Sequence, residues 1–109
     1  MKTSELNFQD LECVQPLPGD REITGGYTSD LLSDVMAHLT EGDALITIQA
    51  HKNTVAVASL TGAPAVIFCH GRTASADVIE TAAKEKIALF VSAGSQFETT
   101  LALAKALGR

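Results

Sequence analysis

Three short runs of the chain are apolar without alternation: Ala44 to Gln49, Ala65 to Cys69 and Ala88 to Ser92. A strand with one wet face alternates apolar and polar residues. An unbroken run rich in Val, Ile, Leu and Phe therefore calls for cover on both faces, as in a parallel sheet between helices. A fourth β-rich run, Leu11 to Leu17, precedes them and stops at Pro18-Gly19-Asp20.

Helical patterns fill the intervals, at about Ser29 to Leu39, Thr54 to Leu60, Ala76 to Lys86 and Gln96 to Leu107. Thr28 or Ser29 can cap the first, with Asp30 and Asp34 on its early turns and Leu31, Leu32, Val35, Met36 and Leu39 as its apolar stripe. Asn53 can cap the second, which carries no charge on any face. A helix of that kind needs burial on more than one side, and in so small a domain a second subunit supplies it. The third turns Val78, Ile79, Ala82 and Ala83 inward, and the fourth carries Phe97, Leu101, Ala104 and Leu107. The order βαβαβαβα predicts an α/β fold, a small parallel-sheet domain with helices on both faces and right-handed crossovers. A chain of 109 residues forms one such domain, spanning 1–109.

Aromatic residues make up only 5% and Trp is absent, so the core is built from Ala, Val, Ile and Leu. The net charge of −5, with no basic cluster to offset it, excludes nucleic acid as a partner. No apolar run approaches a membrane span, and Met1 to Leu6 does not resemble a secretory leader, so a cytoplasmic protein is expected. Cys13 and Cys69 then read as two buried, reduced thiols.

Ligands of open α/β sheets bind beyond the carboxyl ends of the strands. The loops that follow the four runs bring polar residues to that edge. Gly25 and Gly26 read as a turn with at least one positive φ, placed before a helix N-terminus whose free N–H groups favour an anion. Arg21 and Arg72 add fixed positive charge. The expected pocket for a small anionic ligand is therefore lined by Arg21, Thr24, Gly25, Gly26, His51, Asn53 and Arg72. The rival reading pairs Arg21 and Arg72 with Asp20, Asp30, Asp34 or Asp77, which merely ties loops together.

Several chemistries are disfavoured. There is no G-x-x-x-x-G-K-[ST], no G-x-G-x-x-G and no nucleophile elbow, and no motif implies a cofactor. His51, Cys69 and His70 could meet at neighbouring strand ends, but the consecutive Cys69 and His70 point to opposite faces of a strand, so no metal is expected. His38, late in the first helix, reads as a structural residue.

The stretch Asp20-Arg21-Glu22-Ile23-Thr24-Gly25-Gly26, running into Tyr27-Thr28-Ser29-Asp30, resembles the signature of the DRTGG family. Glu22 and Ile23 separate Arg21 from Thr24. Gly42 to His51, Asn53 and Val55 to Leu60 also resemble its single-domain members. The resemblance is specific over Asp20 to Leu60 and becomes a hydrophobic pattern from Ala76 onward. It implies an α/β domain that, in larger proteins, accompanies CBS pairs in regulated pyrophosphatases and phosphotransacetylases as an accessory part. Single-domain versions are often labelled HPr serine-kinase-like, yet this chain lacks the phosphate-binding loop such a kinase needs.

The expected function is a non-catalytic regulatory or sensor module. It forms a homodimer, binds a small anionic ligand (a nucleotide or metabolite) and engages a partner enzyme. The alternatives are a ligand-free scaffold or dimerisation domain, and a phosphotransfer-related enzyme using His51 or His70.

Overall fold

The structure, a computed structural model, describes residues 1–16 and 19–109. Five strands form one sheet: β1 (Leu11–Gln15), β2 (Gly25–Thr28), β3 (Asp43–Thr47), β4 (Ala65–Phe68) and β5 (Ala88–Ser92). Four helices accompany them: α1 (Leu32–His38), α2 (Lys52–Thr61), α3 (Ala76–Lys84) and α4 (Gln96–Ala106). The strand order is β1-β5-β4-β3-β2. Strands β2 to β5 run parallel, and β1 pairs antiparallel with β5.

The unbroken apolar runs have the cause their sequence suggests. Leu45, Val66, Phe68, Ile87 and Leu89 face α1, α2 and α3. Ala44, Ile46, Ala65, Ile67, Cys69, Ala88 and Phe90 face the other way, toward Leu103 of α4 and the N-terminal residues Leu6 and Ile23. The α/β class with helices on both faces is thus the fold observed. At about 25 cal/mol per Å² of apolar surface removed from water, this two-sided burial is the main stabilising term.

Three features differ from the sequence expectations. The first is a fifth strand, β2, where a Gly-Gly turn was expected. Neither Gly25 nor Gly26 has a positive φ; the left-handed glycines are Gly42, Gly62, Gly71 and Gly108. Close packing explains the pair instead. A Cβ on Gly25 would stand 2.6 Å from Asp43 Oδ1, and one on Gly26 would stand 2.7 Å from Leu103 Cδ2. The second is that β1 is antiparallel rather than part of a βα unit. Its expected extension to Leu17, and the Pro18 that was to end it, lie outside the described residues.

The third concerns helix faces. α1 starts at Leu32 with no side-chain cap, and Thr28 belongs to β2. Leu31 and Met36, expected in the α1 stripe, are exposed. α2 begins after His51, not Asn53, and buries one face through Thr54, Val55 and Ala58. α4 buries Thr99 and Leu103, while Phe97 and Leu101 are 77% and 60% exposed. The two thiols also differ from each other. Cys69 is buried, but Cys13, on an edge strand, is exposed.

Candidate functional site

The carboxyl edge of the parallel strands is organised by Asp30, which follows β2. Its Oδ1 accepts from the Thr47 hydroxyl (2.8 Å), the Ile48 amide (2.9 Å) and Gln96 Nε2 (3.0 Å). Gln49 Nε2 donates to the Asp30 carbonyl at 3.3 Å. One side chain therefore joins the loops after β2 and β3 to the start of α4. Sequence reading put Asp30 on a helix turn; the missed strand moved it into this loop.

His51 and Asn53 sit at the start of α2. With Lys52, Ser75 and Asp77 they line a groove of about 310 Å³ between the first turns of α2 and α3. No side chain caps α2 there. Lys52 Nζ stands 3.9 Å from Asp77 Oδ2. The Ser75 hydroxyl above all, with the Lys52 charge and nearby backbone amides, holds the Asp77 carboxyl below its usual range against its own desolvation. Arg72 lies in the loop after β4 on the same edge and is exposed; its amide donates to Cys69 O, and its guanidinium has no hydrogen-bond or ion-pair partner among the described residues.

Arg21, Thr24, Gly25 and Gly26 are elsewhere. β2 carries the chain across the sheet, so the residues before it lie at the opposite edge, beside the start of β3. Arg21 and Thr24 share a groove of about 350 Å³ with Glu41, Gly42 and Gly62. The single pocket expected from all seven residues is therefore two separate regions, one at each end of the strands.

The rival carboxylate pairings do not form either. Arg21 Nη1 donates to the Lys86 carbonyl at 3.2 Å. Asp20 is held by the Thr3 and Ser4 hydroxyls, and Asp34 by Tyr27 and His38. The Tyr27 hydroxyl in particular keeps the Asp34 carboxyl below its ordinary range. His38 Nδ1 lies 3.1 Å from Asp34 Oδ1, one helical turn back. Cys69 is turned into the core, where burial pushes its thiol up, while His70 is exposed with φ 58°. Among the described residues no cluster of His, Cys, Asp and Glu is placed to hold a metal ion. Nor, among those residues, is any helix long and apolar enough to cross a membrane.

The α/β fold that the DRTGG resemblance implies is shared with a solved structure. It is the crystal structure of the CBS and DRTGG domains of the regulatory region of Clostridium perfringens pyrophosphatase, complexed with the activator diadenosine tetraphosphate. The TM-score is 0.71 at 19% sequence identity. The match covers 89% of this chain and 43% of that one, so the chain corresponds to less than half of its structural neighbour. No family model and no curated protein matches the chain.

Proposed function

We propose that this chain is a non-catalytic regulatory module that binds a small anionic ligand at the groove between α2 and α3. The observation that carries the reading is the uncapped start of α2, flanked by His51, Lys52 and Asn53 in a groove. Unpaired amides and the positive end of the helix dipole favour an anion there. Arg72, free on the same edge, adds charge that a phosphate or carboxylate would pair with. The structural neighbour, a regulatory region complexed with an anionic dinucleotide, supports a ligand of this class. Arg21, Thr24, Gly25 and Gly26, across the sheet, are assigned to holding β2 in place. Neither His51 nor His70 has a carboxylate within ion-pair distance among the described residues, so neither imidazole is oriented as a base. This favours regulation over phosphotransfer. Two cysteines without a disulfide suit the reducing cytoplasm.

The test is a thermal-shift series with ATP, diadenosine tetraphosphate and inorganic phosphate. A ligand at 100 times its Kd stabilises the fold by about 2.7 kcal/mol. Lys52→Ala combined with Arg72→Ala is expected to remove that gain while leaving the unliganded midpoint within a few degrees, since both side chains are exposed. No shift with any of the anions leaves the scaffold reading in its place.

The module also pairs with a second copy in this reading. The outer face of α2 carries no charge beyond Lys52, and Leu60 on it is 76% exposed, with Met36 exposed on α1. Such a face suits an interface shared with another subunit or a partner enzyme. Leu60→Glu is expected to convert a sedimenting dimer to a monomer without changing the circular dichroism. A wild-type chain that sediments as a monomer at micromolar concentration defeats this part.

A further inference from the structure

A second cleft, of about 520 Å³, lies on the other face of the sheet, between the turn at 8–10 and α4. That is the size of a small-molecule site. Its wall is pinned by the main chain. Leu11 N donates to Phe8 O at 3.2 Å, and Ala93 N donates to Asp10 O at 3.0 Å, with Asp10 in the left-handed region at φ 69°. The floor holds the buried Ser92 and Thr99 hydroxyls, 2.9 Å apart. Phe8 and Ala102 add apolar surface.

The carboxylates and the ammonium around this cleft lie at opposite ends, with the His70 imidazole near Glu98 at the acidic end. Asp10 is tied to Ala93 beyond the carboxyl end of β5. Glu98 is there too, since a Cβ built on Gly94 would lie 3.5 Å from its Oε1. Lys105 is two turns further along α4, about 10 Å away at 1.5 Å per residue. None of the three has an ion-pair partner among the described residues. A cleft with carboxylates at one end, an ammonium at the other and an apolar wall between complements a ligand of the reverse polarity.

We propose that this cleft binds an elongated small zwitterion, its amine at Asp10 and Glu98 and its carboxylate at Lys105. The two carboxylates at the head repel a polyphosphate, so this site differs in chemistry from the α2–α3 groove. It does not rest on that reading, and each can fail alone.

The probes are 6-aminohexanoate, hexylamine and hexanoate, followed by amide chemical shifts of the ¹⁵N-labelled protein. Saturable shifts are expected at Ser92, Gly94, Glu98, Thr99 and Lys105, with 6-aminohexanoate the tightest of the three. Two substitutions remove the head charge and spare the structure. Glu98→Gln keeps the reciprocal cap it forms with Ser95, and Asp10→Asn is at home with a positive φ. Together they are expected to weaken 6-aminohexanoate and hexylamine about tenfold and leave hexanoate unchanged. Lys105→Ala is expected to abolish the advantage of 6-aminohexanoate over hexylamine. Equal shifts for all three probes, no saturable shift at the cleft, or variants with wild-type affinity overturn the proposal.

Discussion

Phe68→Ala is expected to lower the thermal midpoint by roughly 15–25 °C, the largest loss of any single truncation in this chain. Phe68 ends β4, the middle strand of five, and is completely buried. It belongs to the same core cluster as Val35, Val55 and Val78, one residue from each of α1, α2 and α3, so it lies in the layer where all the helices on that face meet the sheet. Truncation removes the transfer energy of the ring and leaves a hole that three helices cannot close at once, about 3–5 kcal/mol. For a domain whose whole stability is about 5–15 kcal/mol, that is a large share. Phe68→Leu keeps most of the volume and is expected to cost far less, about 1 kcal/mol. Urea denaturation measures both. Equal costs for the two substitutions would contradict the packing described.

Gly42→Ala is expected to cost about 2–3 kcal/mol although it adds one methyl group. Gly42 has φ 97°, where a Cβ is strained whatever the space around it. That Cβ would also sit 2.4 Å from Thr24 Oγ1. The residue is a junction as well. Its amide donates to Gly62 O and its carbonyl accepts from Thr24 N, both at 3.0 Å, so it links the start of β2 to the end of α2. Gly42→Ala with Thr24→Ala should recover the steric part and keep the backbone strain. Gly19→Ala, with no atom of the described residues within 4 Å of the added carbon apart from its chain neighbours, is the control and should stay within about 0.5 kcal/mol of wild type.

The parts of the fold legible in the sequence are those where burial leaves no choice. Strands β3, β4 and β5 carry apolar residues without alternation because each face meets a different layer, and the run Ala88 to Ser92 coincides with its strand. β2 was hidden because its glycines have low strand propensity and are present for what they leave room for. The direction of β1 was hidden because a short β-rich run, Leu11 to Leu17, does not say which way it lies. In α4 the hydrophobic pattern was right only at its end, where Leu107 packs against the core. Phe97 and Leu101 are exposed, whereas the buried Thr99 is accommodated by its hydrogen bond to Ser92, which no periodicity announces.

The same missing strand accounts for the site. The rule that loops after parallel strands share an edge does hold His51, Asn53 and Arg72 at one end. It was applied to residues 21–26 as though they followed a parallel strand, but they follow the antiparallel β1 and precede or begin β2. Four residues of extended chain were enough to move the Gly-Gly pair to the far end of the sheet. Asp30, which ties together the edge where the groove lies, was readable only as a carboxylate near a helix.

The position of β1 has a consequence for the order in which the molecule can be made. It is the first of the five described strands, yet among the described residues its only partner in the sheet is β5, the fifth. During synthesis Leu11–Gln15 waits unpaired while β2, β3 and β4 emerge and begin to assemble in succession. Closing so long a loop is an entropic cost met only when residues near 92 leave the ribosome. Completion of the sheet is therefore a late event, and a nascent chain stopped before β5 carries an unsatisfied strand that is free to find the wrong edge.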